Sequence, residues 1–208
     1  MPDLELFAGA GFPFTRFADL SQSVVVLPSS ATAREIELYL TLIAYMGEQT
    51  GYPGLRLSVG DENDLGKDLD YLIIGTQAEQ PGLEQLKKKL PVLIQGDGLT
   101  VRDTGGFFQS IQERIDEETG SRPHWWNLAR RGEQRGLMEA LGEVPDAVIQ
   151  GVESPWGGRR SIVTITLRDQ DATQNFTEAF WKSSMSDDIS KHVSVLHGTT
   201  FTSYRLQR

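Results

Sequence analysis

Apolar positions in this chain fall into short β-branched runs alternating with stripes at helical spacing. Residues 24–27 (VVVL) are stopped by Pro28 and read as a buried strand. A helix follows. Thr32 and Glu35 have the spacing of a capping box, and Ile36, Leu40, Ile43 and Gly47 fall on one face at steps of three and four. Gly51 and Pro53 supply a left-handed cap and a stop. LRLSV (55–59) and DYLIIGT (70–76) are strand-like, and Pro81 sits well at the first turn of a helix reaching Leu90. VLIQ (92–95) and LTVRD (99–103) flank a tight turn at Gly96-Asp97-Gly98.

From 104 to 146 the pattern loosens. Phe108, Ile111 and Ile115 mark one short helix, and 138–141 another before Pro145. AVIQGVES (147–154) and SIVTITLRD (161–169) are strands joined across PWGGRR. In the second, Ile162, Thr164 and Thr166 alternate against Val163, Ile165 and Leu167, which makes one face the more polar. Residues 171–185 form a helix burying Phe176, Phe180 and Trp181, and the last stretch is a hairpin turning near His197-Gly198. The element order predicts an α/β layer with a mostly parallel sheet, antiparallel hairpins and helices on both faces. No repeat or low-complexity linker interrupts it. Residues 1–23 read as a lead-in segment and 24–208 as one domain.

Composition narrows the chemistry. With 208 residues, 38% hydrophobic and 24% charged, the chain suits a globular domain. A net charge of -9 argues against broad contact with nucleic acid, which needs a concentrated basic face. There are no cysteines, so thiolate metal sites and disulfides are impossible. His124, His192 and His197 lack metal-ligand spacing. No apolar run approaches the roughly 20 residues that cross a bilayer, and no secretory leader is visible at the first residues.

The motifs that could carry catalysis are fragments. Gly9-Ala10-Gly11 begins like a dinucleotide fingerprint, but position 14 is Phe and the segment precedes a strand instead of following one. Asp68-Leu69-Asp70 and Asp169-Gln170-Asp171 match the D-x-D of sugar-nucleotide enzymes, yet both flank strands, where turn carboxylates are ordinary. Arg131 and Arg135 match R-x-x-x-R, the first half of a cyclic di-GMP receptor motif. In the second half, Val152 stands where Asp or Asn is needed and Glu153 adds charge repelling a dianion. Trp125, Trp126 and Trp156 lie in loop-like context and are candidate glycan or domain contacts, as are Phe12 and Phe14 in the lead-in segment.

PDLELFAGAGFPFTRFADLSQSVVVLP, GEQTGYPGLRLSV, DYLIIGT, GVESPWGGRRSIVTIT and VLHGTTFTSYRLQ together resemble the family of periplasmic regulatory subunits of bacterial cellulose synthase, over residues 2 to about 206. GFPFTR…ADLS…VVLP and ESPW…GR are the most specific parts. The resemblance implies a flavodoxin-like α/β domain of a larger periplasmic protein, held to the inner membrane by a C-terminal helix absent from this chain. It also implies a non-catalytic regulatory or scaffold role without a cofactor, supporting cellulose synthesis and guiding the glucan across the periplasm. The implied partners are the catalytic subunit, a neighbouring carbohydrate-binding-like domain, β-1,4-glucan and a second copy of the chain. The alternatives are a nucleotide- or flavin-binding protein, taking cyclic di-GMP or FMN, and a sugar-nucleotide enzyme using the D-x-D pairs. Against the first, the loop after the first strand, PSSATA, lacks glycine, and Pro28 removes a donor.

Overall fold

In the computed structural model, which describes residues 3–95, 98–101, 144–183 and 188–204, the apolar runs assemble into one seven-stranded sheet. Its strands are β1 (Ser23–Val26), β2 (Ser58–Gly60), β3 (Asp70–Thr76), β6 (Ala147–Glu153), β7 (Ser161–Leu167), β8 (Val193–His197) and β9 (Thr200–Tyr204). They lie in the order β2-β1-β3-β7-β6-β8-β9. The β2/β1, β1/β3 and β3/β7 pairings are parallel, while β7/β6, β6/β8 and β8/β9 are antiparallel. The sheet is therefore half parallel rather than mostly parallel. The cause is local: PWGGRR and His197-Gly198 are too short for a crossover, so each returns the chain antiparallel.

Both faces of the sheet are covered. One carries α1 (Leu4–Ala10), α2 (Ala33–Thr50) and α4 (Ala172–Ser183). The other carries α3 (Pro81–Leu86) and a separate hairpin, β4 (Val92–Gln95) with β5 (Gly98–Val101). The hairpin is tied down by Gln150, whose buried amide accepts from the backbone N–H of Val92 at 3.0 Å and donates to its carbonyl at 2.7 Å. This cover explains why the polar face expected on β7 is not solvated. Thr164 and Thr166 are buried, and neither hydroxyl has a hydrogen-bond partner among the described residues. A buried unpaired hydroxyl costs about 1–3 kcal/mol. Thr164→Val, which keeps the shape and removes the orphan, is expected to raise folding stability by about 1 kcal/mol in urea titration.

The α2 capping box forms as the spacing predicts. Glu35 N–H donates to Thr32 Oγ1 at 3.3 Å, and Thr32 N–H to Glu35 Oε2 at 2.8 Å. The buried face, however, is not the Ile36/Leu40 stripe, which is 43% and 56% exposed at those two residues. Leu38, Leu42, Tyr45 and Met46 face the sheet instead. Both stripes satisfy the helical period. The inner one holds Tyr45, whose hydroxyl donates to the Ala8 carbonyl and whose ring stands edge-on to Phe180 at 5.4 Å.

Residues 4–20, read as a lead-in, pack into the same core. Asp3 caps α1, Gly11 ends it in the left-handed region at φ 68°, and Leu4, Phe7, Phe14 and Leu20 are buried. Trp181, expected inside, is 47% exposed against the edge of Tyr45.

Candidate functional site

Parallel sheets place ligands at the carboxyl ends of their strands, where the strand order reverses. Here the chain leaves β1 for β2 on one side and returns to β3 on the other, so that point lies beyond β1 and β3. The sequence puts PSSATA after β1 and the N-terminus of α2 beside it, the position from which a phosphate would be held. The local bonding leaves few donors. Ala31 N–H turns back to the Pro28 carbonyl at 3.0 Å, and Thr32 N–H is held by Glu35. Thr32 Oγ1 lies 2.7 Å from Gln170 Oε1. Gln170 Nε2 in turn donates to Glu79 Oε2 at 2.8 Å, and that carboxylate also accepts from Thr76 Oγ1 at 3.1 Å. Two carboxylates and a glutamine thus stand along this edge, an arrangement that repels an anion.

Gly75 lies within β3, one residue before its end, paired with Thr166. Its φ of 150° excludes other residues, and a Cβ there would sit 2.9 Å from that of Gln80 and 3.1 Å from Pro28 Cγ. Gln80 is fully buried. It donates to the carbonyls of Val26 at 3.2 Å and Ile74 at 2.8 Å, joining β1 to β3 beneath the edge.

Asp169 and Asp171 lie at this same edge but do not form a metal pair. Asp169 accepts from Arg168 Nε at 2.8 Å and from the Ala172 N–H at 2.8 Å, opening α4. The hydrogen bond from Arg168 is the main reason its carboxyl sits below the ordinary value of 3.8; burial works against it, and the Ala172 N–H adds to the lowering. Arg168 also reaches Asp146 at 2.8 Å, and Asp171 pairs with Arg34.

At the opposite edge, the other D-x-D straddles a guanidinium. Asp70 is buried, accepting from the Ser161 N–H at 2.8 Å and lying 3.4 Å from Arg160 and 3.9 Å from Arg16. Arg160 also bonds Asp68 at 3.0 Å and the Gln22 side chain at 2.7 Å. The place a cation would take between these carboxylates is filled by arginine. Among the described residues, no group of three or more metal-ligating side chains is assembled. Sequence reasoning missed this clamp, although Arg16, Asp70 and Arg160 come from GFPFTR, DYLIIGT and GVESPWGGRRSIVTIT, three of the segments singled out there.

The described candidate contact residues sit in separate surroundings. Trp156 is half-buried, edge-on to the Tyr71 ring at 5.7 Å, with its backbone N–H donating to Ser154 Oγ at 3.2 Å. Gly157 follows, and a Cβ there would displace the Asp68 carboxylate that Arg160 holds. Ser154 and Gly157, the two residues fitting the second half of the cyclic di-GMP motif, therefore have structural employment. Phe12 lies under the Arg16 guanidinium at 5.5 Å. Phe14 is 2% exposed and stands edge-on to Phe7 at 5.9 Å, so it offers no face to a partner. Trp125, Trp126, Arg131, Arg135 and the two short helices read between 104 and 146 lie outside the described residues.

Comparison with known proteins places the chain in a family. A family model described as "Cellulose synthase BcsB, second FD domain" matches residues 1–165. A "Cyclic di-GMP-binding protein" of Xanthomonas axonopodis pv. citri is 31% identical over 98% of this chain and 25% of its own length. The protein of the same description from Escherichia coli K12 is 29% identical over 99% of the chain and 25% of its own. "Cellulose synthase 2" of Novacetimonas hansenii is 27% identical over 99% of the chain and 12% of its own. The chain thus spans about a quarter of the first two relatives. Carried by a match over most of its length, the chain belongs to the cellulose synthase BcsB family, at the place of its second FD domain.

Proposed function

We propose that this chain is a non-catalytic regulatory and scaffold domain of a bacterial cellulose synthase complex. It acts by docking against the neighbouring carbohydrate-binding-like domain of its own protein, against the catalytic subunit and against a second copy of itself. It works in the periplasm, beside the emerging β-1,4-glucan, in a protein anchored to the inner membrane through a helix elsewhere in the polypeptide. Among the described residues no helix is long and apolar enough to cross a membrane. The flavodoxin-like class fits the order β2-β1-β3-β7 of the parallel half.

The observation that carries the docking reading is apolar side chains left outside the core. Leu55 is 75% exposed and Leu40 56%, and Leu6, Val59, Tyr52, Ile36 and Phe17 are also exposed. The Ile36/Leu40 stripe matters most, because it is a second helical stripe on a helix whose inner face is already buried. Trp125 and Trp126 join it as proposed contacts, and Trp156 offers one edge.

Flavin and nucleotide binding fit less well. The α2 N-terminus is held by its own Glu35 and by Gln170, with Glu79 behind. A role for this domain as a nucleotide receptor would need a basic face there.

Leu40→Asp in the full-length protein tests the reading. The expected result is loss of co-isolation with the catalytic subunit and a fall in secreted cellulose, while the melting temperature of the 208-residue chain stays the same. Undiminished co-isolation and cellulose output would remove this stripe from the docking surface.

A further inference from the structure

Between the carboxyl ends of β3 and β7 lies a cavity of about 260 Å³ lined by Gln77, Glu79, Ile94, Leu167, Asp169 and Gln170, among others. Its size is the first constraint. It falls just under the roughly 300–1,000 Å³ of sites for drug-sized ligands and is open to solvent on one side, so it seats about one sugar ring.

Charge is the second constraint. The cation in the lining, Arg168, is neutralised by Asp146 and Asp169, each at 2.8 Å. Glu79 has one oxygen engaged by Thr76 and Gln170. The balance repels phosphate and offers acceptors to hydroxyl donors.

The third constraint is an orphan. Both polar atoms of the Gln77 side chain are closed off from solvent and bonded to nothing among the described residues. Buried amides without partners are costly and uncommon. An amide presents donors on one side and an acceptor on the other, and adjacent hydroxyls of a diol can satisfy both at once.

We propose that this cavity binds a small, neutral, polyhydroxylated ligand of single-sugar-ring size. The Gln77 amide turns onto a vicinal diol, and the Glu79 carboxylate accepts from a ring hydroxyl. The described lining holds no aromatic platform, so the affinity is weak and selectivity comes from hydrogen bonds and the exclusion of anions. The inference does not rest on the docking reading, whose test scores co-isolation of the full-length protein.

The experiment is a titration of the 208-residue chain with D-glucose, followed by backbone amide NMR, with inorganic phosphate and FMN as anionic probes. The expected result is saturable shifts confined to residues 75–80 and 168–170 with glucose and none with phosphate or FMN. Gln77→Ala and Glu79→Gln are each expected to weaken binding about fivefold or more. If Gln77→Ala fails to fold, Glu79→Gln decides, since it removes a charge without removing bulk. Unsaturable drift with glucose, a stronger response to phosphate or FMN, or undiminished affinity in folded Glu79→Gln would overturn the assignment.

Discussion

Asp70→Ala is expected to cost about 3 kcal/mol of folding stability, because removing one partner of a buried ion pair leaves the other uncompensated. Asp70 is 1% exposed, and three groups converge on it: the Ser161 N–H at 2.8 Å, Arg160 at 3.4 Å and Arg16 at 3.9 Å. The loss has two parts. One is the backbone donor of Ser161, stranded at the start of β7. The other is the guanidinium of Arg160, whose side chain is only 12% exposed and keeps only the outer carboxylate of Asp68 and the neutral Gln22 side chain. Asp70→Asn separates them. It retains an acceptor for Ser161 and removes only the charge, so its cost is expected to be about half, near 1.5 kcal/mol. Urea unfolding of both variants, with Arg160→Met and the double variant completing a cycle, measures the coupling between the two side chains. A cost below about 1 kcal/mol for Asp70→Ala would mean that the three segments are held together by packing alone.

The clamp also shows where sequence reading stops. β3 was legible because DYLIIGT holds a continuous apolar run, and the final hairpin because His197-Gly198 interrupts two β-rich runs. The α2 capping box needed only two residues three apart. Each of these signals is local. Arg16, Asp70 and Arg160 are far apart along the chain, and nothing near any of them announces the others. Their only trace was that each sat in a segment distinctive enough to carry a family resemblance. The burial of α2 failed for a related reason. Two stripes satisfied one period, and the choice between them was made by α1 and α4, which meet the helix only in the folded state. The carboxyl edge was half legible. Pro28 foretold a poor phosphate loop, but Gln170 and Glu79 reach that edge from β7 and β3, and their arrival there is a matter of sheet order.

Phe180→Ala is expected to be the more damaging change, at about 4 kcal/mol. Phe180 is fully buried on α4 and is the ring through which three helices meet. Its centroid lies 5.9 Å from Phe7 on α1, 5.4 Å from Tyr45 on α2 and 5.8 Å from Phe176 on its own helix. Truncation removes the transfer free energy of one aromatic ring and leaves a void among rigid neighbours that cannot close over it. The effect should spread unevenly. α2 is long, capped at both ends and held against the sheet by Leu38 and Leu42. By contrast α1 has seven residues, too few to stand alone, and rests on Leu4, Phe7 and Ala8. Amide exchange in Phe180→Ala should therefore accelerate first in residues 4–10, ahead of global unfolding. Phe7→Ala should reproduce that local pattern. Uniform acceleration in both variants, with α1 no faster than α2, would show that the N-terminal helix is held by contacts other than this ring cluster. Unchanged exchange in α1 would show that its hold on the core does not run through Phe180.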